Sequence, residues 1–167
     1  MQAYKSDVNT CSEVLAAHGL TIAFAESASA GKLAYAFSQT EQSGSVLKGG
    51  LVCYDACVKE EMLDIPKALI DKHTPESAEV TREMATGLKK VMDAEVIVSI
   101  TGLPTPGGSE GPDKPVGTMF YCILTGERTY DYREVFEGSP GEIIDQTIAH
   151  IARSITQRIQ EDTPDKK

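Results

Sequence analysis

Residues Thr21–Phe37 read TIAFAESASAGKLAYAF, and this stretch decides the fold class. Thr21–Ala25 is a short apolar run with the length of a buried strand. Glu26–Gly31, ESASAG, is small and polar, and Lys32–Phe37 has helical character. A strand that passes through a small-residue turn into a helix predicts a layered α/β architecture.

The flanks extend the pattern. Upstream, Tyr4, Val8, Cys11 and Leu15 recur at helical spacing, and Gly19 follows as a stop signal. Downstream, Lys48–Tyr54, KGGLVCY, reads as a second strand opened by glycines. Val58–Leu63 reads as a short helix, and Pro66 as the start of another. Glu76–Met92 is the clearest amphipathic helix, with Val80, Met84, Leu88, Val91 and Met92 on one face. Glu95–Ile100, EVIVSI, reads as a strand covered on both faces. Thr101–Pro115 holds four glycines and four prolines and predicts a loop, long enough to suggest a functional role. Val116–Leu124 and Thr129–Phe136 predict an antiparallel hairpin about Gly126. Ile144, Ile148, Ile151, Ile155 and Ile159 predict a long final helix. The expected fold is a three-layer α/β/α sandwich with a mixed sheet, a single domain over residues 1–160, followed by a disordered tail, 161–167.

Composition narrows the function classes. The 167 residues carry a formal charge of −9, which argues against a nonspecific nucleic-acid binder, since that needs clustered Lys and Arg. The polar start, MQAYKSDVNTCSEVL, has no basic segment followed by an apolar run, and no apolar stretch is long enough to span a bilayer. Cys11, Cys53, Cys57 and Cys122 are scattered, with no CxxC pair to suggest a disulfide framework or a zinc site. His18, His73 and His150 lie in or beside expected helices with nothing nearby to complete a ligand set. A reduced cytoplasmic protein without nucleic-acid or membrane partners and without a bound metal is the expectation.

Three segments carry candidate chemistry, all expected at strand ends, where open α/β sheets bind ligands. In Glu26–Gly31, a serine between a strand and a helix N-terminus faces unpaired amides that suit an anion or a developing oxyanion. The plainer reading makes Ser27 or Ser29 the helix N-cap. In Tyr54–Lys59, YDACVK, a lysine whose pKa is lowered can serve as base to a serine, and a tyrosine hydroxyl can relay a proton or donate to an oxyanion. The plainer reading is an exposed Lys59 and a Tyr54 that merely ends a strand. In TGLPTPGG, residues 101–108, with KPVGT at 114–118, glycine-rich backbone can cradle phosphate or sugar, although the pattern is not a P-loop. A plain crossover loop is the alternative.

Taken in order, AESASAG at 25–31, GGLVCYDACVK at 49–59, TGLPTPGG at 101–108 and KPVGT at 114–118 resemble the CinA C-terminal domain family over about residues 5–160. The family motifs read roughly AESCTGG, GGxxxYSNxxK, TGIAGPxGG and KPVGT, and its enzymatic members are nicotinamide-nucleotide amidases. The resemblance implies Ser27 as nucleophile, Lys59 as general base and Tyr54 as its assistant. It implies conversion of nicotinamide mononucleotide and water to nicotinic acid mononucleotide and ammonia, with no cofactor or metal. Substrate-binding positions fall at Ser29, Gly31, Gly50, Thr101, Gly102 and Thr105, and a homo-oligomer is expected.

The chain departs from the family pattern on its loops. Ser29 and Ala30 replace Thr and the first Gly of TGG, so Ala30 adds a methyl group where backbone approaches the ligand. Asp55-Ala56 replaces Ser-Asn, and the added carboxylate is expected to raise the pKa of Lys59 and to repel phosphate. Pro104 and Thr105 replace Ala-Gly, which stiffens the loop and removes an amide donor. Ser139-Pro140 stands where the family's FxGDR has Asp-Arg, so a natural phosphate partner is gone. The alternative to an amidase is therefore an inactive relative that binds a nucleotide or a protein. A substrate lacking phosphate would reconcile the retained serine with the lost arginine.

Overall fold

In the computed structural model, residues 4–162 are described. The apolar run after Thr21 forms strand β1, Ile22–Glu26, an interior strand of a five-stranded sheet. Its side chains alternate between two cores, as strand geometry requires. Ile22 and Phe24 enter one with α1 (Lys5–Ala17), α2 (Lys32–Ser38) and α7 (Pro140–Asp162). Ala23 and Ala25 enter the other with α4 (Ala56–Leu63), α5 (Lys67–His73) and α6 (Ala78–Val91). A four-residue helix, α3 (Ser43–Val46), lies before β2 and has no counterpart in the sequence reading.

The strand order is β2-β1-β3-β4-β5, with β2 (Leu47–Val52), β3 (Val96–Gly102), β4 (Thr118–Thr125) and β5 (Arg128–Val135). β1 pairs in parallel with both β2 and β3, while β3-β4 and β4-β5 are antiparallel. The fold is thus the expected α/β/α sandwich on a mixed sheet. Successive connections leave β1 toward opposite sides, to β2 and then to β3, so a crevice opens at the C-terminal end of β1.

Several boundaries differ from expectation. β2 ends at Val52, which leaves Cys53 and Tyr54 in the connection to α4. α6 begins at Ala78 because the Ser77 side chain caps it by accepting from Val80 N; Glu76 therefore lies outside the helix. Val80, Met84 and Leu88 are buried, but Val91 is 55% exposed at the end of α6. Thr101 and Gly102 belong to β3 rather than to the loop, because β4 pairs with them. α7 continues through Glu161 and Asp162, where the Tyr130 hydroxyl and Arg128 reach the Asp162 carboxylate. The rest of the expected tail, residues 163–167, lies outside the described residues.

α4 and α6 meet backbone to backbone. A Cβ on Gly87 would overlap the Leu63 carbonyl, so only glycine permits this approach. The contact holds α4 against α6, and α4 carries Lys59.

Candidate active site

The parallel ends of β1 and β2 bring the site together. The Glu26 carbonyl accepts from Cys53 N (2.7 Å), which lays the segment after β2 beside the turn after β1. Ser27, the first residue beyond β1, is held by its own amide to the Ile100 carbonyl of β3 (3.0 Å). Lys59, in the first turns of α4, points back under this junction and is 1% exposed. Its Nζ lies 3.1 Å from Ser27 Oγ, 2.8 Å from the Cys53 carbonyl and 3.3 Å from the Tyr54 carbonyl.

Three polar neighbours around one amine have a specific consequence. A neutral amine has two N–H donors and one lone pair. The two carbonyls can only accept, so they take both N–H groups and leave the lone pair to the Ser27 hydroxyl. Burial pushes the Lys59 pKa down, against smaller opposing effects of Cys53, Glu76 and Asp55. The net direction is the reverse of what Asp55 alone was expected to produce. Asp55 instead caps α4, its side chain accepting from Cys57 N (2.9 Å), and hydrogen bonds from the Cys57 thiol and then its amide lower the Asp55 pKa.

The turn after Ser27 is built by Glu26, which is buried at 1% exposure. Its carboxyl group accepts from Ser29 Oγ (2.6 Å), Gly31 N (3.0 Å), Leu33 N (3.0 Å) and Ala34 N (2.7 Å). Neither Ser27 nor Ser29 is the N-cap; that position is Gly31, with no side-chain cap of its own. The amides of the α2 N-terminus, expected to face a ligand, are largely taken from within by Glu26. The amides of Ala28 and Ser29, the two residues that follow Ser27, have no acceptor among the described residues.

Ala30 sits in the left-handed region at φ +49°, so its methyl strains the turn. We expect Ala30→Gly to raise stability by roughly 0.5–1 kcal/mol, read as a rise of about 2 °C in Tm. An unchanged or lower Tm would show that the turn carries no such strain.

A cleft of about 330 Å³ opens over Ser27. Tyr54 forms one wall, and Glu76, Gly102, Thr105 and Gly107-Gly108 form much of the rest. Tyr54 is 67% exposed, and its hydroxyl bonds to neither Ser27 nor Lys59 among the described residues. The proton-relay position expected for that hydroxyl is not seen; the Tyr54 carbonyl is what meets Lys59. The reason is that Tyr54 lies beyond β2, with its ring turned toward solvent.

The other expected binding residues divide. Gly102 and Thr105 line the cleft. Ser29 and Gly31 are committed to Glu26. Gly50 does not line the cleft; it pairs with Phe24 from the edge strand β2, where a Cβ would lie 3.0 Å from the Phe24 carbonyl and 3.5 Å from Ala34 Cβ. Thr101 is also absent from the cleft, because its hydroxyl faces α6 and pairs with Thr81 Oγ1 (2.8 Å).

Two groups near the cleft were not singled out as site residues, although Lys114 opens the KPVGT segment. Glu76 lines it directly, and Ser77, a cap residue at the start of a periodic run, was the available signal. Lys114 ties the loop to the segment before α6, donating to Thr74 Oγ1 (2.8 Å), the Glu76 carbonyl (2.8 Å) and Ser109 Oγ (2.6 Å). Ser139 and Pro140 start α7 as a capping box: Ser139 N donates to Glu142 Oε2 (2.7 Å), and Glu142 N to Ser139 Oγ (3.4 Å). Among the described residues no three His, Cys, Asp or Glu side chains gather as a metal-ligating group, and no helix is long and apolar enough to cross a membrane.

Comparison with known proteins places this geometry in a family context. The chain matches the CinA C-terminal domain over residues 5–159. It is 38% identical over 141 residues to a CinA-like protein of Petrotoga mobilis, covering 84% of this chain and 34% of that one. It is 30% identical over 152 residues to the Protein MG115 homolog of Mycoplasma pneumoniae, covering 86% and 96%. The crystal structure of a competence-damaged protein (CinA) superfamily protein from Escherichia coli superposes with a TM-score of 0.87 at 26% identity, covering 94% of this chain and 91% of that one. The chain spans about a third of the length of the CinA-like relatives it matches, and nearly all of the Mycoplasma protein.

Proposed function

The chain belongs to the CinA C-terminal domain family, and from that membership and the Ser27–Lys59 pair we propose that it hydrolyses the amide of nicotinamide mononucleotide or a related small amide. The observation that carries the reading is the 3.1 Å approach of the buried Lys59 amine to the Ser27 hydroxyl. A serine hydroxyl is a weak nucleophile unless an adjacent base accepts its proton. A desolvated amine whose two N–H groups are occupied by carbonyls suits that task.

The steps follow from these positions. Ser27 Oγ attacks the amide carbon as its proton passes to Lys59 Nζ. The carbonyl oxygen takes up negative charge, and the unpaired Ala28 and Ser29 amides are the donors assigned to it in this reading. The Lys59 ammonium then returns the proton to the departing nitrogen, and ammonia leaves an ester on Ser27. Water, deprotonated by the neutral Lys59, cleaves that ester to the acid and restores the hydroxyl. No redox partner enters this balance. The four cysteines stand as free thiols, the state a reducing cytoplasm maintains.

Ammonia release from nicotinamide mononucleotide by the purified protein, with Ser27→Ala as control, tests the reading. We expect turnover that the substitution removes. Release no greater than the control at high enzyme concentration, from this nucleotide and from its phosphate-free riboside alike, would sink it in favour of a binding role.

A further inference from the structure

The charges around the cleft differ from those a phosphate site needs. Of the residues that line it, the charged one is Glu76, and no Lys or Arg side chain is among them. The nearby Lys114 spends its three ammonium N–H donors on three neutral protein oxygens, so it keeps its charge, felt by Glu76, but has no N–H left for a phosphate. Arg133 donates to the Asp113 carbonyl. The Lys59 amine is buried beneath Ser27 and held between carbonyls.

Negative groups, by contrast, gather on the rim. One Glu76 oxygen accepts from Ser109 Oγ (2.6 Å) and the other has no partner among the described residues. Glu110 accepts from the amide of Gly107 (2.8 Å), which removes that amide as a phosphate donor. Both carboxyl groups converge on Gly108: a Cβ there would lie 3.7 Å from Glu110 Oε2 and 3.9 Å from Glu76 Cδ. Across the same cleft stands the exposed ring of Tyr54. A carboxylate and an open aromatic face are the pair of groups that recognise an organic cation, and both disfavour a phosphate.

Resting on the amide-hydrolase reading above, we propose that this cleft selects amides that carry a positive charge and no phosphate, with Glu76 and the Tyr54 ring reading the charge. Glu76 here determines specificity; it touches the substrate but moves no proton.

The test uses the full chain in a Ser27→Ala background, so that binding is read without turnover. Calorimetry compares the ring-methylated nicotinamide cation, neutral nicotinamide and nicotinamide mononucleotide. We expect the methylated cation to bind about tenfold more tightly than nicotinamide, and the mononucleotide no more tightly than the methylated cation. Adding Glu76→Gln should bring the cation-to-neutral ratio to within about twofold, since it removes the charge and keeps the shape. Glu127→Gln, in the exposed β4–β5 turn, should leave the ratio unchanged and thereby excludes an effect of the overall charge.

Equal binding of cation and neutral amide, a ratio indifferent to Glu76→Gln, no binding of any probe, or a mononucleotide bound tenfold more tightly than the cation would each overturn the proposal. The hydrolase reading fails separately. Charge selection present with Glu76 and lost with Glu76→Gln, with no ammonia released from any of the three amides by the unsubstituted chain, would reject hydrolysis and keep the selection.

Discussion

Replacing Lys59 with methionine is expected to leave a folded protein whose amide hydrolysis has fallen roughly a thousandfold or more. Methionine is close in volume to the lysine stem and pliable enough to fill the same buried path under Ser27. It leaves the Cys53 and Tyr54 carbonyls without their donor, which costs about 1–3 kcal/mol for each that water cannot reach. It also removes the penalty of burying an amine. Activity should therefore fall far more than stability. Ser27→Ala with Lys59→Met should be no slower than either substitution alone, because nucleophile and base act as a unit. Additive losses would show that the two groups do not share one proton transfer.

The same residue sets a pH dependence. Its pKa is lowered by burial from the ordinary 10.5, and only the neutral amine can accept the Ser27 proton. Hydrolysis should rise with pH and level off below the pH at which a free lysine would titrate. Stability changes in the same direction. Between the lowered native pKa and the unfolded value, the unfolded chain binds more protons than the native one, so this group's contribution to stability increases with pH across that window. Below the window both states are protonated and the burial penalty stands in full. Lys59→Met should flatten this part of the stability curve; a curve unaltered by the substitution would mean that Lys59 titrates as it does in water.

The second large effect falls on stability. Glu26→Ala should destabilise the protein by about 3–5 kcal/mol, since it strands several buried or half-buried donors at once. The Ser29 hydroxyl and the amides of Gly31, Leu33 and Ala34 all end on that carboxyl group. Glu26→Gln keeps one acceptor oxygen but turns an NH2 group toward an N–H. We expect it to cost about 1–3 kcal/mol, and to reduce turnover by loosening the turn that carries Ser27. Chemical denaturation measures both. A loss below about 1 kcal/mol for Glu26→Ala would mean that α2 finds another cap.

How far the chain could be read from sequence differs by element. Phe24 and Ala25 point to opposite cores simply because strand side chains alternate, so TIAFA was enough to place β1 in a sheet covered on both sides. The hairpin about Gly126 and the isoleucine stripe of α7 were legible for the same kind of reason, being local and periodic. Glu26 was harder. Its residue type suggests an exposed surface, and only the fold of α2 back onto β1 surrounds it with donors.

Thr21–Phe37 and the order of the motifs thus determined the fold class, the family resemblance and the pairing of Ser27 with Lys59 as candidates. The tertiary structure decided what those groups can do. Desolvation of Lys59 depends on its burial beneath the junction of β1 and the segment after β2, and its two carbonyl partners are backbone atoms that no residue type reveals. The charge of the cleft likewise follows from which ends of distant segments meet. Glu76 lines it and Lys114 is spent on its neighbours, a balance set by three-dimensional proximity and not by composition.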